Sequence, residues 1–282
     1  MTIDFHTHLL PRRFARERIE VAARDATFDT LFRDAKAKLR TTEQLIAAMD
    51  EAEVDMSVAV GYGWCDPEIA RESNDYLLEA AARHPKRIVP FCSVHPGWGD
   101  GALLEVSRCA DAGARGIGEL HPTSQQIDLA ALDARIEGLM ALALERRLPV
   151  MVHGSEPVGH AYAGKGDTTP GVLLAFIERF PRNDIVCAHW GGGLPFYALM
   201  PEVRAALANV YFDTAASPLL YAPRVFNTVA ETLGANHILF ASDYPLLPQL
   251  RVISQARSAL PAYLVHAVLH GNAARLLGIG DR

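Results

Sequence analysis

Eight short apolar segments, rich in β-branched residues, constrain this chain more than any other feature. They are Thr2–Phe5, Met56–Val60, Ile88–Val94, Gly116–Leu120, Val150–Val152, Ile185–Ala188, Val210–Phe212 and Ile238–Ala241. Most are continuous apolar runs rather than alternating ones, the pattern of strands covered on both faces, as in a parallel sheet. Helical patterns separate them. Thr42–Ala52 has Thr41 or Thr42 as its cap, with Glu43 and Gln44 in its first turn. Pro67–His84 follows Asp66, a capping residue before a proline at the first helical position. Gly101–Ala112, Leu129–Arg147, Thr169–Phe180, Pro195–Ala208, Pro223–Leu233, Leu250–Ser258 and Ala262–Leu277 complete the set. Eight alternations of strand and helix in 282 residues predict an α/β fold, a (β/α)8 TIM barrel forming one domain over residues 1–282. No glycine-rich phosphate fingerprint follows the first segment, which argues against an open nucleotide-binding sheet. Asp25–Lys38 reads as an insertion over the barrel mouth, and Ser155–Thr168 as a second.

The net charge of -6, without a basic stripe, argues against nucleic acid as a partner. The basic stretch around Arg12, Arg13, Arg16 and Arg18 also carries Glu17 and Glu20 and reads as a solvated helix face. The four cysteines form no CxxC pair and suggest no disulfide framework. Asp4 and His6 interrupt the start of the chain, so no signal peptide is expected, and no apolar run is long enough to cross a bilayer. A cytoplasmic enzyme acting on a small molecule, away from membranes, is the expectation.

Polar residues at the ends of the apolar segments carry the chemistry, because active sites of this fold gather at the C-terminal ends of the strands. The first segment runs into Asp4-Phe5-His6-Thr7-His8, and alternate residues on a strand share a face, so His6 and His8 can grip one metal ion. The fourth carries Glu119 and His121. The fifth ends at His153, the sixth at His189 and the eighth at Ser242-Asp243. Each has a structural explanation when taken alone: a hydrogen-bonded histidine, a turn-capping aspartate, an ion-paired glutamate. Taken together, imidazoles and carboxylates converging on one mouth need a cation or a dense network to stay satisfied.

The motif Ile3-Asp4-Phe5-His6-Thr7-His8, with His153, His189 and Ser242-Asp243, resembles the amidohydrolase superfamily. The nearer resemblance is to the amidohydrolase-related group that includes relatives of aminocarboxymuconate-semialdehyde decarboxylase. Gly116-Ile117-Gly118-Glu119-Leu120-His121-Pro122 resembles its metal-dependent hydrolase members, and Gly271-Asn272-Ala273-Ala274-Arg275-Leu276-Leu277 resembles the family's last helix. The resemblance implies that His6, His8, His153 and Asp243 bind a divalent metal, most often zinc. Manganese, iron and cobalt also suit such donors. It implies that Asp243 moves the proton of a metal-activated water. His189 would polarise the substrate carbonyl or bind a second ion. Glu119 would be a metal ligand bridging two ions, as in the TatD-like and phosphotriesterase-like branches, or would orient a ligand histidine. Members resembling the decarboxylases generally lack this glutamate, so its presence favours hydrolysis.

His121, His95 and Trp64 stand where substrate could be touched, and His160 and Tyr162 could reach it from above. Asp213 and Ser217 are mouth residues or loop caps. His84, His237, His266 and His270 read as structural or surface residues. The function expected is metal-dependent hydrolysis of a C–N or C–O bond in an amide, lactone or ester. The alternative is a metal-dependent decarboxylase of an aromatic or muconate-type acid, with Arg12 and Arg13 as candidate carboxylate partners. A non-catalytic barrel with a structural metal is the third reading; the near-complete ligand set argues against it. The resemblance also implies a homodimer.

Overall fold

The computed structural model describes residues 1–131 and 133–280. Its eight parallel strands are β1 (Ile3–Thr7), β2 (Met56–Ala59), β3 (Ile88–Pro90), β4 (Ile117–Leu120), β5 (Val150–Val152), β6 (Ile185–Cys187), β7 (Val210–Asp213) and β8 (Ile238–Leu239). They pair in chain order, β1 to β3 and β4 to β8. The bridge Cys92–Ile117 joins the two runs, and Thr7–Tyr244 joins the last strand to the first. The result is the (β/α)8 barrel expected from the alternation. All strand residues are buried except the partly exposed Tyr211, which explains why most of the runs are apolar and why their few polar residues stand out.

The core has two layers. Ile3, Phe5, Val58, Met151, Val186 and Leu239, drawn from five strands, pack into one cluster that fills the barrel interior. Leu45, Leu77, Val106, Leu139, Phe176 and Val252 belong to the layer between strands and surrounding helices.

The helices mostly start and stop where their caps place them. Thr41 and Gln44 form a capping box before Thr42–Glu51, and the Asp66 carboxylate accepts from the Glu68 and Ile69 N–H groups at the head of Pro67–Arg83. Three expected helices differ. The one expected over 129–147 begins at Ala134, capped by Asp133, because the Asp128 carboxylate takes the Ala130 and Ala131 N–H groups into a turn; residue 132 of that span lies outside the described residues. The one expected over 195–208 is split: Met200 is extended ahead of Pro201, as proline requires of its predecessor, and the helix proper is Pro201–Ala206. The last one contains a π turn, Ala267–Gly271, between Ala262–His266 and Asn272–Leu277.

Two strands each carry one extra residue. In β1, Asp4 pairs with Ser57 but Thr7 pairs with Ala59; in β4, Ile117 pairs with Val150 but Leu120 with Val152. Such bulges interrupt the alternation and re-aim side chains. They fall at His6 and at Glu119. Phe5 joins the interior cluster, while its neighbour His6 reaches Asp213 and Glu119 across the barrel. The His6 N–H freed by the bulge is taken by the carboxylate of Asp4, 3.3 Å away. Asp4 also accepts from the Ser242 N–H, the Ser242 hydroxyl and the Gln249 amide at 2.9, 2.6 and 2.7 Å, so it locks β1 to the chain beyond β8. Burial pushes its carboxyl up to about 6 against these hydrogen bonds.

The insertion after β1 folds as short helices over the mouth, the last being Ala26–Phe32. Asp25 pins it: this buried carboxylate accepts from the Phe28 N–H at 2.8 Å and from the Cys65 and Asp66 N–H groups at 2.6 and 2.9 Å. Replacing Asp25 by Ala leaves three N–H groups without their partner. The Asp25→Ala variant is expected to lose about 2–4 kcal/mol of unfolding free energy, read from its denaturant midpoint at unchanged slope.

Candidate active site

At the C-terminal end of the barrel, His6, His8, Glu119, His153, His189 and Asp243 converge, all buried except the slightly exposed Asp243. His6 Nδ1 lies 2.7 Å from Asp213 Oδ2, His8 Nδ1 lies 3.1 Å from the Val60 carbonyl and His189 Nδ1 lies 3.2 Å from the Ala215 carbonyl. Carbonyls and carboxylates accept, so these three Nδ1 atoms carry the protons, and in the neutral rings each Nε2 presents a bare lone pair. Yet His6 Nε2 and His8 Nε2 are 3.0 Å apart. Two lone pairs at that distance repel unless a positive charge lies with them. Glu119 completes the arrangement: one oxygen is 3.7 Å from His6 Nε2, while the other is 2.9 Å from His153 Nδ1 and 3.6 Å from His189 Nε2. Asp243 Oδ1 is 3.4 Å from His8 Nε2. His153 Nε2 is buried without a hydrogen-bond partner among the described residues.

Two triads bring their ligand atoms within 4.8 Å of one another, His6–His8–Glu119 and Glu119–His153–His189. These facing lone pairs, this orphaned imidazole nitrogen and these carboxylates fit a divalent cation. Protons take the place of that charge in the free chain. Burial opposes it, but the Asp213 and Glu119 carboxylates push His6 up to about 9. In the same way His189, beside Glu119 and Asp243, is pushed up to about 10. Burial alone would raise the Glu119 carboxyl; His153 and His6 hold it well below the usual range.

The local backbone explains how these groups meet. The chain after β6 turns sharply through His189, Trp190 and Gly191–Gly193, all at positive φ. A Cβ at Gly192 would stand 2.2 Å from the Ser155 carbonyl oxygen, so only glycine lets the His189 turn nest against the loop after β5. Asp213 accepts from the His189 and Ala215 N–H groups with one oxygen while holding His6 with the other. It is an orienting residue, a sharper role than the mouth residue or loop cap that its position suggests.

Above the cluster lies a cavity of about 370 Å³. The insertion gives it Leu31, Phe32, Lys36 and Lys38, the loop after β5 gives His160, Tyr162 and Gly164, and the β7 and β8 loops give Leu219, Leu220 and Leu246. Both segments read as covering the mouth thus line it. His121 lines it too, stacked on His153 at 4.2 Å between ring centres. Burial and the neighbouring His153 push His121 down to about 3, so it is neutral.

The other two expected substrate contacts lie elsewhere. Trp64 is fully buried against Phe14 and Phe28, because the chain beyond β2 turns at Tyr62 and the alternation of the strand does not extend to it. Tyr62 takes the place in the cavity, stacked on His8 at 3.8 Å; a residue in a turn beyond a strand end carries no periodic signal. His95 is turned to its own backbone, its Nδ1 accepting from the Gly97 N–H at 2.8 Å. Arg12 and Arg13 also point away: Arg13 pairs with Glu72 and Glu17, and Arg12 is exposed near Glu43. The cations at the cavity are Lys36 and Lys38.

A family model for amidohydrolases matches residues 3–279. Gamma-resorcylate decarboxylase of Rhizobium radiobacter is 24% identical over 216 residues, 63% of this chain and 66% of that relative. The match therefore spans just under two thirds of the relative's length. Among solved structures, 5-carboxyvanillate decarboxylase from Sphingomonas paucimobilis aligns with a TM-score of 0.79 at 18% identity, covering 99% of each chain. A dihydroxybenzoic acid decarboxylase from Polaromonas sp. JS666, solved with manganese and the inhibitor 2-nitroresorcinol, aligns at 0.74 and 16% identity, covering 100% of this chain and 98% of that one. These likenesses establish the fold. They also overturn the expectation of a C–N or C–O hydrolase, since these relatives are decarboxylases. Glu119 favours hydrolysis in the sequence, but its carboxylate here gathers His6, His153 and His189, a task either reaction can use.

Because His6 keeps a proton to about 9, cation binding at pH 7 must expel it. The apparent affinity for manganese is expected to rise about tenfold per pH unit between 7 and 9 and to level off above. Calorimetry in two buffers of different ionisation enthalpy should count about one proton released per ion at pH 7. Above pH 9, where proton competition has gone, Asp213→Asn, which weakens the hold on His6 Nδ1, is expected to lower the affinity by about 10- to 100-fold.

Proposed function

The chain belongs to the amidohydrolase family, and from that premise we propose that it is a metal-dependent decarboxylase of a small aromatic acid. The observation that carries the reading is one cavity with aromatic and aliphatic walls, Phe32, Tyr62, Tyr162, Leu219 and Leu220, that ends on the imidazole–carboxylate cluster. A benzene ring suits the walls, and its carboxylate suits the floor. The likeness to decarboxylases of hydroxylated benzoic acids supports the same substrate class.

His6, His8, Glu119, His153 and Asp243 would hold the ion, and when bound it supplies the positive charge that draws the substrate carboxylate to the floor. Imidazole and carboxylate donors suit manganese as well as zinc, and the manganese bound in the Polaromonas structure supports manganese. Tyr62 and Phe32 position the ring against the apolar walls. The reaction balances without water: the bond between ring and carboxylate breaks, carbon dioxide leaves, and the ring carbon keeps the electron pair and takes a proton. His189 and Asp243 are the cavity groups placed to handle that proton. His189 lies 3.6 Å from Glu119 and Asp243 3.4 Å from His8, and Asp243 delivers the proton to the carbon. Lys36 and Lys38 at the lip attract the anionic substrate from solution.

Incubation of the manganese-loaded chain with 2,6-dihydroxybenzoate and its relatives is expected to release carbon dioxide, one per molecule consumed. Asp243→Asn should lower kcat by about 10²- to 10⁴-fold, and chelation should abolish turnover. Absence of carbon dioxide across a panel of hydroxybenzoates and hydroxylated dicarboxylates would sink the proposal.

A further inference from the structure

Each imidazole at the cavity floor has a protein partner on a ring nitrogen, with one exception. His6 is held by Asp213, His8 by Val60, His153 by Glu119 and His189 by Ala215. His121 is 2% exposed, and among the described residues neither of its ring nitrogens has a hydrogen-bond partner. Burying two polar atoms unpaired is costly, and native proteins keep such groups mainly where a ligand or water completes them.

His121 is nevertheless firmly placed. Its backbone N–H donates to Gln125 Oε1 at 2.9 Å, and Gln125 is itself anchored by donating to the Val94 and Trp64 carbonyls at 3.0 and 3.3 Å. Its ring lies against His153, tilted by 22°. The roof above it is backbone. A Cβ at Gly164, where φ is +88°, would come within 3.6 Å of His121 Nε2 and 2.8 Å of Leu31 Cδ2, so glycine keeps that side of the ring free of a side chain.

We propose that His121 is the residue that reads a neutral hydroxyl on the substrate; this rests on the decarboxylase reading and on the hydroxylated substrate class that the relatives support. With no carboxylate on either nitrogen, the ring presents one N–H and one lone pair. The two nitrogens point apart, so one substrate group meets one of them. A hydroxyl suits either, accepting from the N–H or donating to the lone pair, whereas a carboxylate suits only the N–H and an ammonium only the lone pair. The anionic end of the substrate belongs at the cation, and the hydroxyl beside it falls to the ring stacked on His153. Sites that hydrogen-bond a substrate hydroxyl reject the analogue lacking it far more strongly than apolar pockets reject a changed methylene.

The test uses two inert ligands that differ only in hydroxyls, 2-nitroresorcinol and nitrobenzene, and reads their equilibrium binding to the manganese-loaded chain. The wild type is expected to prefer the hydroxylated probe. His121→Phe keeps the stacked ring but removes both nitrogens. It should retain manganese and thermal stability while the preference falls by about 10- to 100-fold. His121→Gln, which restores a donor and an acceptor, should recover part of it. A preference unchanged in His121→Phe, no preference in the wild type, or loss of manganese from both variants would each overturn the assignment. Carbon dioxide release is read separately: its absence alongside an intact, His121-dependent preference removes the decarboxylase and leaves the hydroxyl contact standing.

Discussion

The buried carboxylate of Asp4 is the interaction on which the site depends. A closed barrel of parallel strands needs its last strand to meet its first in one register. Here Asp4 accepts from the backbone and hydroxyl of Ser242, from the Gln249 amide and from the His6 N–H that the bulge in β1 leaves without a ladder partner. The same seam is stitched by the Asp243 N–H on the His6 carbonyl and the His8 N–H on the Tyr244 carbonyl. The two ends of the chain that carry His6, His8 and Asp243 are thereby placed against each other before any ion is considered. Burial drives the Asp4 carboxyl upward, and the fold offsets that cost with four hydrogen bonds rather than a counter-charge.

The site is built from departures from regularity. His6 and Glu119 sit at the two bulges, and His189 and Asp243 have left-handed backbone. Regular strands would place successive side chains on opposite faces; the irregular ones bring side chains from β1, β4 and the ends of β5, β6 and β8 to one small volume. Proteins tolerate such local cost where it positions function.

This explains what the sequence makes legible. The eight strands can be read because burial on both faces demands unbroken apolar runs, and His6, His8, Glu119, His153, His189 and Asp243 can be read because each directly ends or interrupts one. Tyr62 and Trp64 cannot be told apart that way, since both follow β2 in a turn where alternation has lapsed. The orienting role of Asp213 depends on a partner 207 residues away in sequence. Nor does the donor set encode the reaction. Polarising a carbonyl towards water and anchoring a carboxylate that departs as carbon dioxide ask for the same imidazoles and carboxylates, so the proposed reaction rests on the walls and the relatives rather than on the cluster.

The contact between Leu31 and Gly164 has a consequence for how this cavity can change over time. The two residues come from insertions far apart in the chain, yet the space a side chain would need at 164 is already filled by Leu31. A change at either position is felt at the other, directly above His121. A side chain at 164 would have to displace the Leu31 methyl and adopt a φ of +88°, so the two insertions share one packing constraint above the substrate cavity.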